Sequence, residues 1–286
     1  MRNKLAILLI ALLAKMAFIN AQDTKSNIQT YTPSKLLNQG QWDIKWFNNL
    51  YTETKFADGK GTSQSKAREN YFTSTVEAFT GVSENNSVNI GAIIEYRSNT
   101  IGGRQALSVL SLKDDPNTER KGITSFAPAI KFQPFKNIGN FSIQTALHIP
   151  LVKNETENGV FLDQTAWTFQ NRLFYDYTFE SGNWQLFTEL NLEYHFGDDK
   201  SFANNTFGVT PGVFMSYFPS DKSTVLGFIQ HLQRFGDFTQ DYTALGFGGK
   251  YQLNKTLNLE VLYSNFVRGN DTGLGQSFNI GLRALF

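Results

Sequence analysis

From residue 41 onward, apolar and polar residues alternate with a two-residue period in segment after segment, each about ten residues long, the length of a tilted strand that crosses a bilayer. The segments are 42–56, 71–82, 88–97, 123–135, 141–151, 165–179, 184–196, 206–218, 224–234, 242–253, 257–267 and 276–286. They predict about twelve strands, an even number. Most carry one plainly apolar face: Ile90, Ala92 and Ile94 in the third, Leu190, Leu192 and Tyr194 in the seventh, Val209, Val213 and Met215 in the eighth. Two are less clean. The fourth contains Pro128 and Pro134, each of which removes a ladder donor, and the ninth is assigned a lipid face of Leu226, Phe228 and Leu232.

The connections fall into two alternating classes. Tight turns rich in Gly, Asn, Asp and Ser are predicted at 83–87, 136–139, 180–183, 219–222 and 254–256, and longer loops at 57–70, 98–122, 152–164, 197–205, 236–241 and 268–275. This is the asymmetry of an outer-membrane barrel, with short periplasmic turns, longer extracellular loops and both barrel ends on the periplasmic side. Opposed residues in an antiparallel pair must face the same way. Pairing Val82 with Val88, Phe135 with Asn140, Phe179 with Trp184, Phe218 with Ser223 and Leu253 with Leu257 keeps the apolar faces together at every tight turn. Within the longest loop, Arg104 to Leu112 has apolar residues at roughly helical spacing. That spacing predicts either a turn lying at the membrane surface or an inward constriction.

In the last segment Phe278, Ile280, Leu282, Ala284 and Phe286 share one face, opposite Ser277, Asn279, Gly281 and Arg283. A soluble fold would have to cover such a face, whereas in a barrel the lipid covers it. On this strand and the strand rhythm of the whole chain, the sequence resembles bacterial outer-membrane β-barrel proteins, porin- or transporter-like. Gln22 and the run Trp-Phe-Asn-Asn-Leu-Tyr at 46–51 resemble such proteins of the Bacteroidota. The resemblance implies an all-β fold, a closed antiparallel transmembrane β-barrel in the outer membrane. It also implies Phe286 as the assembly signal read by the barrel-assembly machinery, with outer-membrane lipid and lipopolysaccharide as the surroundings of a monomer or weak homo-oligomer.

Residues 1–21 read as an export signal peptide: Arg2 and Lys4 precede the apolar run 5–14, and Ala21 supplies a small residue before the cleavage point. Lys15 interrupts that run, which is too short for a spanning helix. Residues 22–40 are polar and unpatterned and read as a short periplasmic tail, leaving 41–286 for the barrel.

Composition adjusts this picture little. A charged fraction of 18% and a mean hydropathy of -0.31 suit a barrel in which only alternate residues meet lipid. Aromatics at 14% suit a lipid-facing wall with interfacial girdles. With no cysteine, no disulfide can staple an exported fold. The net charge of +1 becomes about -2 without Arg2, Lys4 and Lys15, which gives no reason to expect nucleic-acid binding.

If the apolar face meets lipid, the other face encloses a lumen, and its residues are the candidates for function. We assign to the solute path Glu77, Glu95, Arg97, Lys131, His148, Arg172, Asp176, Glu189, Glu193, His195, Lys250, Glu260 and Arg283, with Gln144, Gln170, Asn191, His231 and Asn279 on the same face. The hairpin registers predict Lys250 opposite Glu260, and Arg172 opposite Asn191 with Glu189 and Glu193 diagonal to it. Inward Gly91, Gly208, Gly212, Gly246, Gly248 and Gly281 leave space, and inward Phe79, Phe174, Phe187, Phe214 and Phe266 fill it. Mixed charge argues against a pore selective for ions of one sign.

Enzymatic chemistry finds little support. None of His148, His195 and His231 stands in the His-x-Ser arrangement of barrel lipases, and no catalytic residue is assigned. Scattered histidines and no thiol predict no metal site and no cofactor, although Glu193 and His195 share a face. No glycine run precedes a helix as a phosphate loop requires. The expectation is an outer-membrane channel or transporter, not an enzyme, passing or binding a small polar or amphipathic solute through a narrow mixed-charge lumen. The alternatives are a non-conducting structural or surface-recognition barrel acting through its loops, and an outer-membrane hydrolase with an unrecognised site.

Overall fold

The structure is a computed structural model that describes residues 33–113 and 115–286, so the expected signal peptide, 1–21, lies outside the described residues. Twelve long strands run antiparallel in sequence order. They are β1 (Trp42–Ala57), β2 (Ser63–Gly81), β3 (Val88–Thr100), β4 (Glu119–Phe132), β5 (Phe141–Pro150) and β6 (Thr168–Thr178). They continue as β7 (Trp184–His195), β8 (Thr206–Ser220), β9 (Ser223–Gly236), β10 (Gln240–Gln252), β11 (Leu257–Asn270) and β12 (Gln276–Leu285). With the two-residue strand Thr272–Gly273 they form a sheet of 13 strands.

The sheet closes on itself because β1 pairs on both edges. It meets β2 from Trp42↔Thr80 upward and β12 from Asp43↔Leu285 to Thr52↔Gln276. Trp42 and Phe286 complete the seam by exchanging N–H···O bonds of 2.6 and 3.0 Å. Closure answers a physical demand: in hydrocarbon each unpaired backbone group would cost several kcal/mol, and a closed sheet has no edge. Among the described residues no helix is long and apolar enough to cross a membrane, which says nothing against crossing by strands.

The outward face is apolar and banded. Ile90, Ile94, Ile130, Val213, Leu245, Val261 and Ile280 are exposed around the middle. Toward the periplasmic ends of the strands stand Trp42, Tyr177, Phe179, Trp184, Tyr217, Tyr251 and Phe286; toward the extracellular ends stand Trp167, Phe169, Tyr194, Phe196, Phe207 and Phe235. Aromatic rings at both lipid–water boundaries are what a spanning barrel presents.

The registers agree with the sequence at most hairpins. Val82 N donates to Val88 O at 3.1 Å, Phe179 N to Trp184 O at 3.0 Å and Leu253 N to Leu257 O at 2.9 Å. The β4–β5 ladder runs from Ser125↔Pro150 to Phe132↔Ile143 and stops there, short of the expected pair of Phe135 with Asn140. The β8–β9 hairpin differs. Asp221 and Lys222 make a two-residue turn under Ser220↔Ser223, and a bulge then shifts the wall to Tyr217↔Val225 and Val213↔Ile229. A one-residue slip exchanges the faces of a strand. Val225, Ile229 and Phe235 therefore meet lipid, and Leu226 and Phe228 line the interior, contrary to the assigned face of Leu226, Phe228 and Leu232. His231 turns outward with its paired neighbour Thr243, 3.0 Å from its Oγ1, so it is not a lumen residue.

Three loops expected to be long are short; the last, 268–275, is reduced to 271–275 between β11 and β12. β1 and β2 continue to a hairpin at 58–62 in place of the loop 57–70, and β9 and β10 are joined at 237–239. Asp58 fixes the first of these turns by accepting from Lys60 N and Thr62 N, each at 2.9 Å, and those bonds hold its carboxyl below the ordinary value. The loops 101–118, 151–167 and 196–205 are long as expected.

The loop 101–118 holds a single 3-10 turn, Ala106–Leu110, that lies on the outer surface of the wall and not in the mouth. Its carbonyls accept from Asn70 Nδ2 (Arg104 O, 3.1 Å) and Ser98 Oγ (Val109 O, 2.7 Å), side chains on the lipid side of β2 and β3. Leu107, Leu110 and Leu112 remain exposed, which matches the membrane-surface turn rather than the constriction. The last residues of the tail, 33–40, enter the periplasmic mouth. Leu37 is buried there with its N–H on Asn89 Oδ1 at 3.2 Å, and Lys131 Nζ donates to the carbonyls of Pro33 and Lys35.

Candidate functional site

The interior of the barrel is the candidate site, and strand alternation builds it: on each strand the residues between the lipid-facing ones converge on a common space. That space is a cavity of about 950 Å³, bordered by Phe56, Lys66 and Tyr71 near the extracellular end and by Phe218, Lys250 and Arg283 near the periplasmic end.

A continuous ladder of charge crosses the interior. Arg283 clamps Asp43 with two bonds of 2.8 Å, Lys45 lies 3.8 Å from Asp43 and 3.3 Å from Glu77, and Arg172 reaches Glu77 at 3.4 Å and Glu189 at 2.8 Å. Cations and anions alternate along it, so each buried charge has a partner as desolvation requires. The Arg172–Glu77 contact is a strut across the barrel, because β6 and β2 are not neighbours and β3, β4 and β5 lie between them in the wall. A separate pair, Lys250 and Glu260, meets at 2.7 Å on opposed positions of β10 and β11.

An aromatic row begins where the ladder ends, with Phe174 opposed to Glu189 and the Arg172 guanidinium 5.1 Å over its ring. Phe174, Phe187, Phe214 and Phe228 form a row on β6 to β9 with successive ring centroids 6.1, 5.4 and 5.1 Å apart. A Cβ on the opposed Gly246 would lie 2.2 Å from Phe228 Cζ, so only glycine lets that ring lie flat on the wall. Gly281 does the same for Phe47, whose Cδ2 would be 2.7 Å from an added Cβ. At these two positions the inward rings therefore lie along the wall. Higher up, Phe266 stacks on Tyr242 at 4.2 Å and approaches Tyr51 at 4.8 Å, and the Tyr51 hydroxyl donates to Glu53 Oε2 at 2.8 Å.

The extracellular mouth is roofed by interlocked loops. In 151–167, Asp163 pairs with Arg97 at 3.1 Å, and the carbonyls of Phe161 and Leu162 accept from Asn99 Nδ2 at 2.9 and 3.0 Å. The loop 196–205 is tied to it by Ser201 Oγ and Phe202 N, which both donate to Glu155. Burial pushes the Asp163 carboxyl up from its ordinary value, against the pull of the Arg97 guanidinium. Beneath this roof lies a second chamber of about 210 Å³ that shares Glu95, Arg97, His148 and Gln170 with the main cavity as lining.

Of the residues assigned from sequence, Glu77, Glu95, Arg97, Lys131, His148, Arg172, Glu189, Lys250, Glu260 and Arg283 border the main cavity. Glu193 and His195 border the upper chamber only, and Asp176 borders neither, being buried beside Gln185. Sequence reasoning missed Asp43, Lys45, Glu53 and Lys66, although the first two sit between Trp42, Ile44 and Trp46 on an alternating strand. It also missed Arg234, which the slipped register of β9 carries inward. Phe286 caps the seam with Trp42.

The nearest approach to a nucleophile and base is Thr168 Oγ1 to His195 Nδ1 at 2.8 Å, with His195 Nε2 3.7 Å from Glu193 Oε2. The second distance is too long for a hydrogen bond, and the Thr168 hydroxyl is buried beneath the loops, where it also accepts from Gln164 Nε2 at 2.8 Å. His148 faces Gln170 Oε1 at 3.3 Å. Among the described residues no group of three or more metal-ligating side chains converges.

Residues 49–283 match the model of a family described as "Putative MetA-pathway of phenol degradation". A search of curated proteins finds no match. Among solved structures, the chain is similar to an outer membrane channel from Pseudomonas putida F1, with a TM-score of 0.67 at 8% identity, covering 94% of this chain and 100% of the other. It is also similar to the β domain of the Bordetella autotransporter BrkA, with a TM-score of 0.58 at 13% identity, covering 87% of this chain and 100% of the other. At such identities the likeness is one of fold, a closed antiparallel barrel of the outer-membrane kind.

Proposed function

The chain belongs to the family described as putative MetA-pathway of phenol degradation, and from that premise we propose that it is an outer-membrane channel for a small amphipathic solute, aromatic in character. The observation that carries the reading is the two-part lining of the lumen: an internally neutralised charge ladder and, beginning beside its Arg172 end, the Phe174–Phe187–Phe214–Phe228 row, around a space of about 950 Å³. A purely polar solute gains nothing from four stacked rings, and a purely apolar one gains nothing from the ladder. A ring with a polar substituent uses both. The Pseudomonas putida F1 structure of the same fold is described as an outer membrane channel, and the family description names phenol degradation, which supports the solute class.

The ten assigned residues that border the main cavity act in this reading as the polar lining of the path, with Arg172 reaching across it. Residues 1–21 serve as the export signal, Phe286 as the signal to the assembly machinery, and outer-membrane lipid and lipopolysaccharide as the solvent of the apolar belt. The Bacteroidota origin suggested by Gln22 and residues 46–51 belongs to the same proposal. The barrel acts without catalysis on its solute.

Proteoliposome swelling tests it. The folded full chain should admit small aromatic solutes such as phenylethylamine or benzyl alcohol faster than a pentose of similar size. Equal rates, or none, would overturn the reading. A non-conducting barrel is the rival favoured by the strut and by residues 33–40 in the periplasmic mouth, and the same assay would return no uptake for it.

A further inference from the structure

Of the charged residues that line the upper chamber, Glu95, Arg97, Asp163, Glu193 and Arg234, the last has no ion-pair partner among the described residues. Arg234, 8% exposed, donates through one guanidinium nitrogen to Thr206 Oγ1 at 2.9 Å and lies 5.6 Å over the Phe202 ring. No carboxylate among the described residues comes within ion-pair distance of it, and its Nε has no hydrogen-bond partner. The two acids Asp163 and Glu95 are paired with Arg97, whereas Glu193 is held by neutral amides and its Oε2 lies 3.7 Å from His195 Nε2, across Gly208 from Arg234. Arg97 meets Asp163 at 3.1 Å and Glu95 at 3.6 Å, while Glu193 Oε1 accepts from Gln170 at 2.8 Å and Asn191 at 3.0 Å. A guanidinium taken out of water calls for an anion, and its planar fork matches a carboxylate.

His195 supplies a second donor. Gln164 Nε2 donates to Thr168 Oγ1 at 2.8 Å, so the Thr168 hydroxyl is free to donate to His195 Nδ1 at 2.8 Å. In the tautomer in which Thr168 donates to Nδ1, the ring proton sits on Nε2, a buried atom on the chamber wall without a hydrogen-bond partner. The wall beside it is open. Opposed positions on β7, β8 and β9 carry Glu193, Gly208 and Arg234, and a Cβ at Gly208 would meet no atom closer than 3.8 Å. Phe161 and Phe202, packed edge to face at 5.5 Å, supply an apolar surface above the polar floor.

We infer that this chamber is a carboxylate-binding subsite at the extracellular entrance to the lumen, built for a small aromatic acid whose carboxylate Arg234 and His195 Nε2–H hold while its ring packs on Phe161 and Phe202. The inference rests on the reading of the barrel as a solute path and names one class of solute for it. A volume of about 210 Å³ admits a single substituted ring. An ammonium or a neutral alcohol would leave the Arg234 charge uncompensated.

Binding is measured apart from passage. Calorimetric titration of the full chain, folded in detergent, with benzoate and with benzyl alcohol should give benzoate at least tenfold the tighter ligand, with an affinity that falls as salt rises. Arg234→Gln should weaken benzoate at least tenfold and leave benzyl alcohol unchanged, and Arg234→Lys should retain part of the preference. Equal affinities for the two ligands, no benzoate binding, or an unaltered Arg234→Gln affinity would overturn the inference. If Arg234→Gln does not fold, judged by heat-modifiable migration, the wild-type preference and the Arg234→Lys and His195→Gln variants decide. Benzoate binding without conductance would sink the channel and spare the subsite; conductance without that preference would do the reverse.

Discussion

Replacing Arg172 with Gln tests the charge ladder where it crosses the barrel. Arg172 touches Glu189 at 2.8 Å and Glu77 at 3.4 Å, and through Glu77 it is linked to Lys45, Asp43 and Arg283. The ladder carries three cations, Arg283, Lys45 and Arg172, and three anions, Asp43, Glu77 and Glu189. The substitution leaves two cations against three anions, with Glu189 unpaired and the strut gone. An unbalanced carboxylate within about 4 Å of a passing ion is worth about 1 kcal/mol in a water-filled path and more where water is excluded. At 1.4 kcal/mol per decade, that is about a fivefold rise in the cation-to-anion permeability ratio. The assay is the reversal potential of single channels under a KCl gradient, read together with step size. Wild type should sit near neutral selectivity; the variant should move toward cations and, with the crossing side chain shortened, pass more current. A folded Arg172→Gln barrel with unchanged reversal potential and unchanged steps would refute the ladder as part of the path.

Three further outcomes follow from particular contacts. Gly246→Ala brings a methyl to 2.2 Å from Phe228 Cζ and 2.6 Å from the Tyr263 carbonyl oxygen, so the ring and the strand pairing must both shift: the folded fraction, read by heat-modifiable migration, should fall, and the folded barrels should conduct less. Leu37→Asp puts a charge at a fully buried position, which should release residues 33–40 from the periplasmic mouth and raise conductance; protease cleavage within that segment would report the release. Asp163 has a folded pKa raised by burial, so its contribution to closing the loop 151–167 is greatest below the ordinary aspartate value and is lost as pH rises through the raised one. Current noise from loop opening should therefore fall on acidification through that window, and Asp163→Asn should reproduce the quiet state at neutral pH.

The wall was legible because alternation is a local property with one reading wherever only one face is apolar. Ile90, Ala92 and Ile94 admit no other register. β9 defeated the same logic because Leu226, Phe228 and Leu232 compete with Val225, Ile229 and Phe235, so both faces are greasy. The signals that resolve it are the Asp221–Lys222 turn and the glycines of β10, which an inward ring requires. Pairs such as Lys250 with Glu260 follow from hairpin register and could be derived. The strut from Arg172 to Glu77, the loop clasp of Ser201 on Glu155 and the entry of residues 33–40 join parts of the chain far apart in sequence, and no periodicity encodes them. The loop 101–118 lay between two readings for the same reason: its leucines show an amphipathic turn, and only the partners Asn70 and Ser98 decide which side of the wall receives it.

Single-channel recording of the full chain in a planar bilayer tests the central claim, a continuous narrow path bounded by the Arg172 ladder and the phenylalanine row, most directly. The account predicts small discrete steps of weak ion selectivity that are interrupted when a small aromatic solute is added to either side. Folded, inserted protein that gives no steps, or steps indifferent to such a solute, would contradict it.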